Sequence, residues 1–159
     1  MKALISYFTR GGRTKKTAEA IASALTNYDV SYFPVELTGG YVEKIKQLDK
    51  FEKNDFSAIE SELNSLNVSG YDLLIFGSPT YGNKPANVFN EILARMGDLS
   101  GKKAVVFDTA RFTGDGTRDY MEKKVKEAGA QVIAKKNFRK LFWIGTKNVI
   151  EFGKQINEI

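Results

Sequence analysis

An apolar strand that runs directly into a loop of glycines and hydroxyls constrains the fold of this chain more than any other segment. Residues 3–8 have the sequence Ala-Leu-Ile-Ser-Tyr-Phe, and residues 9–14 have the sequence Thr-Arg-Gly-Gly-Arg-Thr ahead of a helical pattern. A junction of this kind directs several backbone N–H groups, and the positive end of the helix macrodipole, at one small volume. The pattern predicts a phosphate-binding loop between a buried strand and a helix.

The side chains that the chain lacks exclude several kinds of chemistry. Its sequence includes no cysteine and no histidine. These absences exclude a disulfide framework, a thiol nucleophile, a zinc–thiolate site and a Ser-His-Asp triad. We therefore expect a bound ligand to supply the chemistry at this loop, with no catalytic side chain and no metal.

The length and hydrophobicity of the chain fit one domain. With 159 residues, of which 42% are hydrophobic, the chain can bury a substantial core, and we predict a single domain over residues 1–159. No apolar run approaches the length that crosses a bilayer, and no secretory signal precedes the first strand. We expect a cytoplasmic protein with no membrane insertion.

The net charge of +5 is concentrated in two segments. A solvated surface and a polyanion-binding face would each account for such clusters. No zinc-finger, RNP or recognition-helix pattern accompanies them, so we predict no nucleic-acid partner. The basic residues are Arg10, Arg13, Lys15 and Lys16 in the first segment, and Lys135, Lys136, Arg139, Lys140 and Lys147 in the second.

Hydrophobic periodicity predicts five strands that alternate with helices. Strands are predicted over residues 3–8, 30–37, 71–76, 104–107 and 131–138, and the near-continuous apolar run at 71–76 is typical of a strand buried on both faces. Alternation of this kind predicts a three-layer, doubly wound parallel sheet of the α/β class. The helices between and after these strands are predicted from the stripes Ala18, Ile21, Ala22 and Leu25; Phe89, Ile92, Leu93 and Met96; the segment 118–128; and Val149, Phe152, Ile156 and Ile159.

The second strand and the segment after it have features of their own. Proline cannot donate to a sheet ladder, so Pro34 predicts an edge strand or a bulge. The segment from Gly39 to Ser69 is longer than one crossover helix needs, which predicts a helical insertion between strands two and three. It either covers the sheet edge or provides a docking surface. Its two helical stripes are Val42, Ile45 and Leu48, then Ile59, Leu63 and Leu66, with Ser57 and Glu60 matching a capping box.

Ligands of doubly wound sheets bind beyond the carboxyl ends of the strands, where the strand order reverses. The loops at residues 9–14, 77–85 and 108–116 follow predicted strands one, three and four. The second loop carries Tyr81 and the third carries Phe112, which suits stacking on the two faces of a planar ring. Packing of Phe112 under its own loop is the alternative. Trp143, beside Phe142, is predicted to belong to the core or to a partner surface rather than to a cofactor site.

Together the three loops resemble those of the flavodoxin family. The first loop of that family has the pattern Thr/Ser-x-Thr/Ser-Gly-x-Thr/Ser, which Thr9, Gly12 and Thr14 match. Residues 77–82, Gly-Ser-Pro-Thr-Tyr-Gly, are similar to the family's Gly-Ser/Thr-Pro-x-Tyr segment. The resemblance covers the whole chain in order and spacing. It implies FMN as the cofactor and the flavodoxin-like strand order 2-1-3-4-5, in which strand two is an edge.

The resemblance also implies which residues bind FMN. It places Tyr81 against the isoalloxazine ring and the flavin N5 contact on the backbone of residues 81–83, where Gly82 permits a peptide flip. The predicted cofactor-binding residues are Thr9, Arg10, Gly11, Gly12, Arg13 and Thr14; Ser78, Pro79, Thr80, Tyr81, Gly82 and Asn83; and Asp108, Thr109, Ala110, Arg111, Phe112 and Gly114.

The first loop departs from the family at one position. Gly11 stands where the family usually has a hydroxyl, which removes one phosphate hydrogen bond, worth about 1 kcal/mol. Arg10 and Arg13 would offset the loss through charge-assisted bonds, or both arginines point to solvent. The two alternatives stay open at the level of sequence.

The resemblance implies a protein that shuttles electrons between redox partners through a non-covalently bound FMN. The loops contribute Arg10, Arg13, Lys84 and Arg111 against Asp108 and Asp115. This basic balance predicts acidic docking surfaces on the partners, and a less negative semiquinone/hydroquinone potential than in acidic relatives. An FMN-dependent oxidoreductase that acts on a quinone or another small anionic or aromatic substrate is the alternative, and a flavin-free binding module is a third.

Overall fold

The computed structural model describes residues 1–139 and 145–159. Lys140 of the second basic segment, Phe142 and Trp143 lie outside the described residues. The strands are β1 (Lys2–Thr9), β2 (Asp29–Glu36), β3 (Leu73–Pro79), β4 (Lys103–Ala110) and β5 (Gln131–Arg139). The helices are α1 (Arg13–Ala22), α2 (Tyr41–Glu52), α3 (Glu60–Asn64), α4 (Val88–Met96), α5 (Asp115–Glu127) and α6 (Thr146–Asn157), with a 3-10 turn at Ser57–Ile59 before α3.

The five strands form one parallel sheet in the order β2-β1-β3-β4-β5. The predicted strand order and the edge position of Pro34, which lies opposite Tyr7 on the outer strand, are therefore confirmed. The chain moves outward from β1 to β2 and then returns to β3 on the other side of β1. The loops after β1 and β3 consequently meet where the strand order reverses, which is where such sheets bind ligands.

Helices cover both faces of the sheet, because successive strand residues point to opposite sides. Leu4, Leu74 and Val106 belong to one buried cluster with residues of α4 and α5. Ile5 and Val105 belong to a second cluster with residues of α1 and α6. The result is the predicted three-layer arrangement. No helix in the described ranges is both long and apolar enough to span a bilayer.

The insertion between β2 and β3 is helical, as predicted, but α2 presents a different face to the core. Val42 and Ile45, which the periodicity assigned to a core stripe, are 57% and 38% exposed. The residue that α2 buries is Phe51, whose ring lies 6.1 Å from Phe8 and 5.6 Å from Phe56 between centroids. The core contacts of α2 thus come from near its end, so the predicted stripe was wrong for its first half.

The predicted capping box at Ser57 and Glu60 was also wrong. Ser57 donates its backbone N–H and its hydroxyl to Asp55 Oδ1, at 3.1 and 2.6 Å, because an aspartate two residues upstream offers a local turn that competes with a cap. Glu60 instead accepts two hydrogen bonds from Arg95 of α4, at 3.0 and 3.1 Å. At the chain end, Ile159 lies beyond α6 and is exposed, not part of its buried stripe.

Candidate functional site

A cavity of about 790 Å³ opens at the carboxyl ends of β1, β3 and β4. Its walls are the loops after these three strands and, on one side, the start of α2. The three loops that the sequence singled out therefore converge on one space. The residues on its walls are Thr9, Arg10, Gly11, Arg13, Thr14, Gly39, Gly40, Tyr41, Lys44, Pro79, Thr80, Tyr81, Thr109, Ala110, Arg111, Phe112 and Thr113.

The first loop forms a cradle at the N-terminus of α1. Gly12 has a φ of 83°, a conformation that favours glycine, and turns the chain into the helix. No described side chain caps α1, and the first N–H groups of any α-helix have no acceptor within the helix itself. A Cβ added at Gly11 or Gly12 would meet no other atom within 4 Å. The cradle thus combines open space, helix N–H groups and a positive dipole end, a combination that suits a phosphate.

Two buried hydroxyls in the cradle keep donor capacity. Thr9 Oγ1 accepts the N–H of Gly12 at 3.0 Å, and Thr14 Oγ1 lies 2.9 Å from Thr109 Oγ1. A hydroxyl carries one donor and two acceptor sites. The O–H of Thr9 and one O–H of the Thr14–Thr109 pair therefore stay able to donate to an anion. The residues present fit a phosphate group.

The charge on the cavity walls is positive. The charged wall residues are Arg10, Arg13, Lys44 and Arg111, and none of the described wall residues is acidic. Arg10 is half-buried, and its guanidinium lies 5.8 Å from the centroid of the Tyr41 ring. Its carbonyl accepts a hydrogen bond from Lys44 Nζ at 3.4 Å. The first loop and α2 are joined through Arg10.

Tyr81 forms part of the cavity wall at the end of β3. Its ring centroid lies 6.4 Å from that of Phe8, at an interplanar angle of 52°. Burial raises the pKa of Tyr81, and the nearby charge of Arg10 opposes the rise. The hydroxyl therefore stays protonated at neutral pH, and Tyr81 offers a neutral aromatic surface to a ligand.

The residues after Tyr81 form a tight turn. Tyr81 and Lys84 exchange backbone hydrogen bonds at 2.8 and 3.0 Å, while Gly82 and Asn83 have φ values of 54° and 65°. Two positive φ angles are the signature of a type I′ turn. Gly116 of α5 packs against this turn, since a Cβ added there would lie 2.9 Å from the Cβ of Asn83.

Phe112 lies at the mouth of the cavity and is 72% exposed. The alternative in which it packs under its own loop is not what the structure shows. Tyr41, the first residue of α2, is 73% exposed. The two exposed rings and the wall ring of Tyr81 give the cavity an aromatic rim.

Several predicted cofactor-binding residues do not lie on the cavity walls. Ser78 is fully buried, where its hydroxyl accepts the N–H of Ala86 at 3.2 Å and donates to the carbonyl of Pro79 at 3.0 Å. Asp108 is also fully buried, beneath the cavity. Alternation along β4 puts its side chain on the face of Val106, which α5 covers. The predicted residues that the cavity walls do not include are Gly12, Ser78, Gly82, Asn83, Asp108 and Gly114.

Asp108 connects three elements from below the cavity. Its Oδ2 accepts hydrogen bonds from Thr80 Oγ1, at 2.9 Å, and from Asn137 Nδ2. Its Oδ1 has no hydrogen-bond partner in the described structure. Burial raises the pKa of Asp108 to about 6, although the bonds from Thr80 and Asn137 oppose the rise. The carboxyl thus changes charge close to neutral pH.

The sequence-based prediction missed the wall that α2 supplies. Gly39, Gly40, Tyr41 and Lys44 line the cavity, although no motif marks them. The signal that would have found them is positional: the glycine pair follows the end of β2, at the same sheet edge as the other loops. Thr113, between two predicted residues, was missed as well.

Comparisons with known proteins agree with the fold and with the sequence motifs. No family model matches the chain. A flavodoxin of Maridesulfovibrio salexigens is 28% identical over 140 residues, which cover 83% of this chain and 81% of that protein. A flavodoxin from the domain Archaea superposes with a TM-score of 0.64 at 20% identity, covering 99% of this chain and 97% of that one. A Lactobacillus acidophilus flavoprotein, solved in complex with FMN, superposes with a TM-score of 0.62 at 20% identity, covering 86% and 92%.

The structural similarities and the sequence similarity support different conclusions. The structural ones, at low identity, establish the flavodoxin-like fold. The sequence match relates the chain to a flavodoxin over most of both lengths. The resemblance to the flavodoxin family that the loop motifs indicated is confirmed.

Proposed function

We propose that residues 1–159 form one FMN-binding domain that transfers electrons between partner proteins, in the manner of a flavodoxin. The observation that carries the proposal is the cradle at residues 9–14. It joins an uncapped helix N-terminus, open space over Gly11 and Gly12 and buried hydroxyl donors in one cavity with Tyr81. The sequence similarity to a flavodoxin over most of both chains supports the same proposal.

The residues around the cavity have distinct tasks in this proposal. The cradle holds the phosphate through helix N–H groups and the hydroxyls of Thr9 and Thr14. Tyr81 supplies one aromatic surface for the ring system and excludes water from it, and Phe112 supplies a second at the mouth. Bound FMN supplies the one- and two-electron chemistry, which none of the side chains present can perform.

The positive walls define what the site favours. Arg10, Lys44 and Arg111 lie on the cavity walls, and none of the described wall residues is acidic. Positive charge beside a redox centre favours the addition of electrons, and positive charge at a docking rim favours an acidic partner. We therefore propose redox partners with acidic docking surfaces.

Titration of the apoprotein with FMN and with riboflavin tests the proposal. The two ligands share the ring system and differ in the phosphate, so their affinity ratio measures the cradle. We expect one FMN per chain, bound about 100-fold more tightly than riboflavin, because two charge-assisted hydrogen bonds contribute roughly 3 kcal/mol. Equal affinities for FMN and riboflavin would mean that the cradle does not bind the phosphate. Failure of both ligands to bind would leave a flavin-free module.

The wall formed by α2 favours a second candidate, an FMN-dependent oxidoreductase that acts on a small anionic or aromatic substrate. Tyr41 and Lys44 extend the cavity beyond the three loops, and together they provide an aromatic ring and a cation. Oxidation of NAD(P)H or turnover of a quinone by the FMN-loaded protein alone would favour this enzyme. Electron transfer that requires a second protein would favour the carrier.

A further inference from the structure

Asp108 is the one charged side chain that is buried among the residues that the structure describes. It lies near the end of β4, opposite Ser78 of β3 and Asn137 of β5 in the sheet register. Its chain neighbour Thr109 and its hydrogen-bond partner Thr80 line the cavity, whereas Asp108 itself does not.

The carboxyl of Asp108 joins the parts that carry the cavity's aromatic residues. Thr80, which precedes Tyr81, donates its hydroxyl to Oδ2 at 2.9 Å and its backbone N–H to the carbonyl of Thr109 at 3.0 Å. Gly114, which ends the loop of Phe112, packs so closely that an added Cβ would overlap the same Oδ2. Movement of this carboxyl is thus transmitted to the loops after both β3 and β4.

The polar groups around Asp108 are incompletely paired. Asp108 Oδ1 and Asn137 Oδ1 are both buried with no hydrogen-bond partner in the described structure. An asparagine at position 108 would keep an oxygen that accepts the hydroxyl of Thr80. Its amide would place an N–H donor where Asp108 Oδ1 now has no hydrogen-bond partner. A buried carboxylate costs more than a buried amide, so the requirements of folding alone would favour asparagine.

The charges that act on Asp108 come from α5. Arg118 favours the ionised carboxylate and Asp115 opposes it. The elements that pack on its other sides present neutral partners, Thr80 from the loop after β3 and Asn137 from β5. Burial is the largest influence and raises the pKa of Asp108 to about 6.

We infer that Asp108 is a positioning residue that makes flavin binding depend on pH by tightening or loosening the two loops above it. This inference rests on the proposed function. An ionised Oδ2 accepts stronger, charge-assisted bonds from Thr80 and Asn137 than a protonated carboxyl does. Protonation weakens the bond to Thr80, and the wall that carries Tyr81 loses its fixed position. Flavin binding therefore weakens as the pH falls, and flavin binding in turn releases a proton from Asp108.

The test uses riboflavin, because the phosphate of FMN titrates in the same pH range and repels the ionised carboxylate. Riboflavin affinity is measured from pH 5 to 7.5 for the wild type, Asp108→Asn and Asp29→Asn. In the wild type we expect a weakening of up to about tenfold toward pH 5, the effect of one pKa unit of linkage. Asp108→Asn is expected to bind with a flat profile. The control Asp29→Asn changes an exposed aspartate at the start of β2, at the opposite end of the sheet from the cavity, and is expected to keep the wild-type slope.

A second measurement separates positioning from a merely structural role. Calorimetry at pH 6 in two buffers of different ionisation enthalpy measures the protons released on riboflavin binding. We expect release from the wild type and none from Asp108→Asn. If Asp108→Asn does not fold, Thr80→Val removes the hydroxyl donor and is expected to reduce both the pH slope and the proton release.

The outcomes distinguish the inference from the function on which it rests. Flavin binding with no pH slope, or a slope that Asp108→Asn retains, overturns the inference and leaves the proposed function intact. Absence of both FMN and riboflavin binding at every pH overturns the proposed function.

Discussion

The hydroxyl of Thr14 lies 2.9 Å from the hydroxyl of Thr109, which links the cradle on α1 to the end of β4. Both side chains are buried, and they come from segments 95 residues apart in the chain. One hydrogen of the pair is used between the two oxygens, and the other is free to reach an anion. The same hydrogen bond therefore belongs both to the packing of α1 on the sheet and to the candidate phosphate site.

We expect Thr14→Val to weaken FMN binding by roughly 5- to 30-fold, since removing one partner of a buried hydrogen bond costs about 1–2 kcal/mol. Riboflavin binding is expected to change much less, because riboflavin has no phosphate to lose. Fluorescence titration of both ligands measures the difference. Thr14→Ser, which keeps the hydroxyl, serves as the control, and an equal loss for both flavins would contradict a phosphate at Thr14.

The position of Arg10 between the cradle and Tyr41 predicts an effect on redox potential. A unit charge about 8 Å from the flavin, at an effective dielectric near 20, contributes about 2 kcal/mol, or roughly 90 mV in a one-electron couple. We expect Arg10→Ala to make the second one-electron potential more negative by tens of millivolts, as measured by spectroelectrochemistry. The exposed Lys16, which is outside the cavity walls, provides the control variant Lys16→Ala. Equal shifts in both variants would mean that total charge, and not the position of Arg10, sets the potential.

Much of this fold could be predicted because its three central strands, β1, β3 and β4, are buried on both faces. Apolar runs such as residues 71–76 and 104–107 need no partner information to be recognised, and Pro34 identified the edge strand from its missing N–H. The face of α2 could not be obtained in this way. Val42 and Ile45 have helical spacing, but whether a spaced residue is buried depends on where the helix meets the sheet.

The site was predictable only as far as its motifs extend along the chain. The cradle and the loop with Tyr81 each carry a local pattern, whereas Tyr41 and Lys44 reach the cavity through the packing of the insertion. Asp108 illustrates the opposite error. Its place in a site loop suggested contact with the cofactor, but strand alternation turns its side chain toward α5 and away from the cavity.

Gly114 is expected to tolerate no side chain. An added Cβ would overlap Asp108 Oδ2 and Asn137 Nδ2, so Gly114→Ala is expected to destabilise the fold by about 1–3 kcal/mol through overpacking. Urea unfolding of the apoprotein measures the loss. Gly70→Ala is the control, because an added Cβ there meets nothing within 4 Å. A loss of stability no larger than that of Gly70→Ala would show that the side chains of Asp108 and Asn137 can move to make room for the added Cβ.

The buried carboxyl of Asp108 predicts how the stability of the apoprotein depends on pH. Its pKa is raised from 3.8 to about 6 by burial, so the folded state binds more protons than the unfolded state between these values. The contribution of Asp108 to stability is therefore present below about pH 4 and is lost as the pH rises through 6. Carboxylates such as Glu36 and Asp119, whose pKa values are lowered by neighbouring lysines and other hydrogen-bond donors, act in the opposite direction.

The contribution of Asp108 is therefore isolated by the difference in stability between the wild type and Asp108→Asn. Since each pKa unit is worth about 1.4 kcal/mol, we expect Asp108→Asn to be more stable than the wild type by up to about 3 kcal/mol at pH 7.5, and by much less at pH 4.5. Urea unfolding at both pH values measures this difference, and a difference that stays the same at the two pH values would mean that Asp108 does not titrate in this range.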